Sequence, residues 1–427
     1  MMKIAPGVQG PFCRMRIAIF SECYAPVTNG VVTSIISLRE TLRAWGHTVY
    51  VFAPGKPQPE DDADLFRLPE LPFPRHPYHF ARPFPTLNVD FASLNVEVVH
   101  CQHPFTVGRL GAEQARRYGL PMVYTAHSLY DLMASTSKSP LVRRMGQPYA
   151  RGVIRRFCAR ADYVIAPTHH TVQALWADGV RARFAVVPSG IRPLPFDAGA
   201  RERIRARLHV PDGAPLLLCL GRLGPEKRVD LLLRAVAILK ARELPAPQRD
   251  FRVVIVGDGM CRGDLEILAT DLGVLDRVEF VGEQPHATAG DWYAAADLFM
   301  LTAPAETQGL VLVEAMAAGL PCVAGAHGGP LEIVNHGDTG LLVEFDSEAF
   351  ADGVQQLLLD TAESRRMGEN GRRHARDYTP EAMAKGVLDV YERVLKIPHI
   401  PVAERRVKRL TAELTRLGHR NRARRLR

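Results

Sequence analysis

Ala305-Glu306-Thr307-Gln308-Gly309-Leu310-Val311-Leu312-Val313-Glu314-Ala315-Met316-Ala317-Ala318-Gly319-Leu320-Pro321 is the stretch from which this chain is best read. Two carboxylates, Glu306 and Glu314, have seven residues between them. The first follows a proline in a loop. The second lies in an apolar run with helical spacing through Leu310, Val313 and Ala317, which Gly319-Leu320-Pro321 terminates. A helix beginning near Gly309 turns free backbone N–H groups and a positive dipole end toward whatever precedes it, which makes a phosphate site. A carboxylate just before that site and another inside the helix suit the sugar and ribose of a nucleotide sugar. Spacing alone is equally met by two solvated glutamates flanking a buried Ala-rich helix.

Working outward, 427 residues predict two domains rather than one. An apolar content of 47% with 23% charged residues fits a globular protein, and no apolar run reaches 18 residues, so no membrane span is expected. The seven cysteines (13, 23, 101, 158, 219, 261, 322) are scattered, with no CxxC pair, and read as small core residues in a reducing compartment. The net charge of +8 resides wholly in residues 404–427, which hold ten Lys/Arg and two Glu.

Residues 1–14 lack the apolar core of a signal peptide and read as a disordered extension, with Met15 a candidate start. Arg16–Phe20 is a buried-strand pattern, followed by a Pro/Asn/Gly loop ending at Gly30, an amphipathic helix to Gly46, and a strand over Thr48–Ala53. This is a βαβ unit without GxGxxG, so a dinucleotide fingerprint is not supported. Residues 54–86 read as Pro-rich and irregular, and Glu60-Asp61-Asp62-Ala63-Asp64 as a solvated acidic loop rather than a metal site. His127 closes the strand over Pro121–Ala126, at the strand end where open α/β sheets bind ligands. The next helix carries Arg143, Arg144, Arg151, Arg155, Arg156 and Arg160, either an ordinary solvated face or one turned to a membrane or acceptor. After a linker at Pro188–Pro195 the βα alternation restarts, and one loop leaving the strand Leu216–Leu220 carries Arg222 and Lys227. Two fixed cations on the edge that should carry Glu306 could neutralise a diphosphate leaving group without metal.

With Asn29-Gly30-Val31, Thr125-Ala126-His127, Gly221-Arg222 to Lys227, Gly257-Asp258-Gly259 and the Glu306/Glu314 pair in place, residues 15–397 resemble the retaining GT-B glycosyltransferases of family four. His127-Ser128-Leu129-Tyr130-Asp131 and Val164–Thr168 look most like the diacylglycerol glucosyltransferases and phosphatidylinositol mannosyltransferases. The resemblance implies an α/β architecture of two Rossmann-like domains facing a cleft. Its parts are a 15–192 acceptor domain, a 193–377 nucleotide-sugar domain, and a 378–397 terminal helix crossing back to the first domain; residues 398–427 form a basic amphipathic tail. It implies that Arg222 and Lys227 hold the donor diphosphate, Glu314 the ribose, and the N–H groups of Gly309, Leu310 and Val311 the phosphate and sugar. Glu306 would contact the transferred hexose, backbone near Gln284 the base, and His127 the reacting carbon, while Gly30 lets the first domain close. The catalytic candidates are therefore His127 and Glu306, with no metal and no cofactor beyond a UDP-hexose or GDP-mannose donor. Ala303-Pro304-Ala305 departs from the Ser-rich residues common before that first glutamate, which leaves the sugar open.

The expected partners are a nucleotide sugar, a lipid acceptor, and an anionic membrane surface reached through the tail and the Arg-rich helix at the cytoplasmic face. A soluble sugar, sugar phosphate or glycan acceptor is the alternative. A nucleic-acid-binding role is disfavoured because the basic excess lies at one terminus, away from the phosphate-site constellation.

Overall fold

A computed structural model describes residues 14–27, 29–71, 80–83, 85–130 and 140–401. Short apolar runs that would be buried on both faces become central parallel strands. In chain order they are β1 (Arg16–Phe20), β2 (Thr48–Pro54), β3 (Leu65–Leu68), the small pair β4 (Glu70–Leu71) and β5 (Phe80–Ala81), β6 (Val98–Cys101), β7 (Met122–Thr125), β8 (Tyr163–Ala166) and β9 (Phe184–Val186). Then follow β10 (Leu216–Leu220), β11 (Arg252–Val256), β12 (Val278–Gly282), β13 (Leu298–Leu301), β14 (Cys322–Gly325) and β15 (Gly340–Val343). The first sheet is ordered β3-β2-β1-β6-β7-β8-β9 and the second β12-β11-β10-β13-β14-β15. All pairings within these two sheets are parallel. In each, the chain order reverses once, between β1 and β6 and between β10 and β13. Loops leaving those strand pairs diverge and open a crevice at the carboxyl edge.

Helix Pro380–Leu395 places Met383, Val387, Tyr391 and Val394 in the same buried cluster as Ile17 and Ile19 of β1. The three-to-four-residue spacing keeps them on one face. Its Tyr391 hydroxyl lies 2.7 Å from His100 Nδ1, and His100 Nε2 lies 2.7 Å from Thr125 Oγ1. The last helix among the described residues is thus packed onto the first sheet. Ser189 and Ile191, between the two sheets, are buried, and the Ile191 N–H donates to Tyr378 O at 2.9 Å.

Three local readings change. The segment 54–86 is not irregular throughout, because Leu65–Leu68 pairs with β2 as the edge strand; four residues among prolines carry too little periodicity to announce a strand. Edge strand β15 was likewise unmarked. The acidic run is not merely solvated: Asp61 is paired at 2.7 Å with Arg67, Asp62 at 2.6 Å with Arg39, and Arg43 also reaches Asp62. These pairs tie the loop to β3 and to the helix Gly30–Ala44. The basic tail 404–427, residues 1–13 and the side chain of Arg143 lie outside the described residues.

Candidate active site

The helix Leu310–Ala318 starts where the resemblance requires. Gly309 sits at φ +94°, a left-handed conformation that glycine alone adopts without strain. Leu312, Val313, Ala315 and Met316 anchor the helix in the second core, each large side chain contributing roughly 1.5–3 kcal/mol. That burial fixes the direction of the first-turn N–H groups of Leu310 and Val311, which have no intrahelical carbonyl to bond. Opposite stands the start of helix Gly30–Ala44, capped by Asn29, whose side chain accepts from Val32 N at 2.9 Å. A Cβ placed on Gly30 would lie 3.4 Å from Leu310 Cδ1. The two helix starts therefore face each other across the crevice.

Lys227 and Glu306 leave β10 and β13, the two strands of the second sheet's switch point. Lys227 Nζ donates to Glu306 Oε2 at 2.6 Å. Burial alone would lower the lysine's pKa, but the charge and hydrogen bond of Glu306 outweigh it and the net shift is upward. Lys227 is therefore a fixed cation, but in this state a carboxylate neutralises it. Arg222 is more exposed and pairs with Glu226 at 2.9 Å. Glu314, one turn into its helix, accepts from the Tyr293 hydroxyl at 2.8 Å, and burial raises its carboxyl pKa to about 7. Gln284 follows β12, its amide donating to Glu283 O at 3.0 Å.

His127 follows β7 and is half-buried. Its Nε2 lies 2.6 Å from Gln102 Oε1, and burial pulls its pKa down to about 4, so the ring is neutral near pH 7. The Thr307 hydroxyl donates to the His127 carbonyl at 2.8 Å, which brings the His127 loop and the Glu306 loop together. Gly30, His127, Lys227, Glu306, Gly309, Leu310 and Val311 thus border one crevice; Arg222 stands on its more open side.

Sequence reasoning passed over Glu22, Gln102 and His103, at the first sheet's own switch point. The Glu22 carboxylate accepts from Val107 N, capping a helix whose N-cap residue, Phe105, has no capping side chain, and burial raises its pKa to about 7. His103 Nδ1 accepts from Glu22 N at 3.2 Å, and burial drops the ring pKa to about 3. The polar run His100-Cys101-Gln102-His103-Pro104 at a strand's carboxyl end was the available signal.

Two parallel-sheet domains facing a crevice have the architecture of a GT-B glycosyltransferase. Residues 28–193 match the model for Glycosyltransferase Family 4, and residues 200–374 that for Glycosyl transferases group 1. The chain belongs to this family. It is 31% identical over 330 residues to an alpha-monoglucosyldiacylglycerol synthase of Streptococcus pneumoniae, covering 74% of this chain and 72% of that one. It is also 31% identical to a GDP-mannose-dependent alpha-mannosyltransferase of Mycolicibacterium smegmatis, covering 89% and 98%. Among solved structures, sucrose-phosphate synthase from Thermosynechococcus elongatus superposes with a TM-score of 0.71 at 25% identity, over 89% of this chain and 99% of that one.

Proposed function

We propose that this glycosyltransferase moves a hexose, with retention of anomeric configuration and without metal, from a nucleotide sugar to a diacylglycerol-type lipid at the cytoplasmic membrane face. Cleaving the anomeric C–O bond builds positive character on the sugar and negative charge on the departing diphosphate. Lys227, Arg222 and the Leu310–Ala318 helix start are the groups suited to that negative charge. The acceptor oxygen bonds the anomeric carbon on the face the diphosphate leaves, and its proton passes to a leaving phosphate oxygen. His127, neutral near pH 7, serves as a hydrogen-bonding partner near the sugar rather than as a proton source. Glu306 contacts the hexose once the donor phosphates draw Lys227 away, and Glu314 accepts from the ribose hydroxyls.

The lipid acceptor is supported by one observation above the others. Helix Pro140–Cys158 exposes Met145 (62%) and Tyr149 (65%), four residues apart on one face, among exposed Arg144, Arg151, Arg155 and Arg156. Apolar anchors ringed by arginines suit an anionic bilayer. The relative named as a diacylglycerol-glucoside synthase supports the same acceptor class. No helix among the described residues is long and apolar enough to cross a membrane.

The test is a donor screen with UDP-glucose, UDP-galactose and GDP-mannose against diacylglycerol in anionic vesicles and against soluble sugars and sugar phosphates, with and without EDTA. Transfer to lipid that survives EDTA is expected. Transfer to soluble acceptors alone would replace the lipid reading, and abolition by EDTA would remove metal independence.

A further inference from the structure

Glu306 is followed by two residues that belong in sequence to the second domain but bond to the first. Thr307 and Gln308 are only 8% and 3% exposed. The Thr307 hydroxyl donates to His127 O at 2.8 Å, and its carbonyl accepts from Thr168 Oγ1 at 2.7 Å and Thr171 Oγ1 at 3.3 Å. Gln308 grips Ser189 through both ends of its amide: Ser189 N donates to Oε1 at 2.8 Å, and Nε2 donates to Ser189 O at 2.9 Å. Ser189 adjoins the place where the two interdomain connections touch. A Cβ on Gly190 would stand 2.1 Å from Thr379 O, so the two backbones pass each other in close contact there. Gln308 is therefore held beside the meeting point of the two interdomain connections, whereas Thr307 is held at the ends of β7 and β8.

We infer that Thr307 and Gln308 are positioning residues that make the placement of Glu306 depend on the placement of the first domain. Gln308 anchors the loop at the hinge, and Thr307 docks it beside His127, so the carboxylate and the histidine reach working geometry together and only with the cleft closed. In an open cleft the Thr307 bonds are the ones that part, while the Gln308 clamp stays near the axis. A second pairing spans the same gap: Glu332 accepts from His169 N at 2.9 Å and His170 N at 2.6 Å, so closure is not carried by Thr307 alone. The inference rests on the crevice being the donor site.

The test uses the full chain with Thr307→Val, Thr307→Ser and Gln308→Leu. Thr307→Val keeps the shape and removes the donor, and should lower kcat about 10-fold, near the upper end for one lost hydrogen bond. The Kd for free UDP or GDP, a second-domain property, should stay within about 2-fold, and Thr307→Ser should restore kcat to within about 2-fold. Without ligand, Thr307→Val combined with Gln308→Leu should scatter X-rays with a larger radius of gyration than wild type, while Thr307→Ser should match wild type. A role confined to stability would lower the melting temperature but leave kcat per folded molecule and the scattering unchanged, and that result overturns the inference. So does equal loss of kcat in Thr307→Val and Thr307→Ser. Calorimetry on wild type separates the underlying reading: if neither nucleotide binds, the donor-site assignment falls, and the scattering of the paired variant still decides whether these residues hold the domains.

Discussion

Lys227 and Glu306 hold each other at 2.6 Å, so under the proposed function the cation that takes the diphosphate and the carboxylate that contacts the hexose begin as partners. On that proposal donor entry would exchange this pair for two others, and the exchange is favourable only if phosphate outcompetes the carboxylate for the lysine. Lys227→Ala should cut turnover by about 10²-fold or more, the scale of removing one charge-stabilising group, with Arg222→Ala in the same direction. Glu306→Gln should leave the fold intact and lower transfer sharply; steady-state kinetics beside a melting curve separates the two effects. Glu314 yields a pH prediction. Its carboxyl ionises near 4.5 when unfolded and near 7 when buried beside Tyr293. Between those values the folded state binds the extra proton, so this group's contribution to stability falls as pH rises from 4.5 to 7 and is level above. Glu314→Gln should therefore gain stability relative to wild type across that interval, by up to about 3 kcal/mol in denaturant titrations. Glu314→Ala should weaken UDP or GDP binding in calorimetry, and unchanged affinity would remove the ribose assignment.

Elements legible in the sequence were those whose pattern is strong over its whole length. Leu216–Leu220 and residues 253–256 are apolar on both faces and read as central strands. Helix Leu310–Ala318 carries a glycine at each end, Gly309 at φ +94° and Gly319 at φ +85°. Gly309→Ala forces a Cβ into the left-handed region and should cost about 1–2 kcal/mol, with weaker nucleotide binding because the first-turn N–H groups tilt. Strand β3 was illegible because four residues at a sheet edge are specified by pairing with β2, not by their own periodicity. The acidic run misled for a related reason: its partners Arg39 and Arg67 come from elements that only the fold brings together. On helix Pro140–Cys158, Met145→Glu with Tyr149→Glu should reduce sedimentation with anionic vesicles and leave the melting temperature within a degree or two, since these side chains have little protein packing to lose.

At the scale of the whole molecule, two domains, the helix start at Gly30 and the strand ends before His127, Lys227 and Glu306 could be placed from sequence. How they meet could not. The bond from Thr307 to the His127 carbonyl joins residues 180 positions apart, and its acceptor is backbone, which no residue pattern encodes. The same holds for Gln308 on the Ser189 carbonyl, while Tyr391 and His100 meet through side chains 291 positions apart. Charge is distributed at this scale too, because the surplus of the whole chain sits in residues 404–427. Each basic residue near an anionic surface contributes about 1 kcal/mol, less with added salt. Truncation after Pro401 should leave donor binding intact and lower co-sedimentation with anionic vesicles, most at low salt, with partial binding kept by helix Pro140–Cys158. Equal binding by both lengths would take the tail out of the mechanism.

The most direct test of transfer to lipid with retention is proton NMR of the product formed by the full-length enzyme on diacylglycerol vesicles, using whichever α-linked nucleotide sugar proves active. The expected product is a hexosyl lipid whose anomeric proton shows the small coupling of an α-glucoside or α-galactoside, or, for mannose, whose anomeric carbon shows the larger one-bond coupling of an α-mannoside. A β-linked product, or a lipid left unmodified while a soluble acceptor is glycosylated, would contradict it.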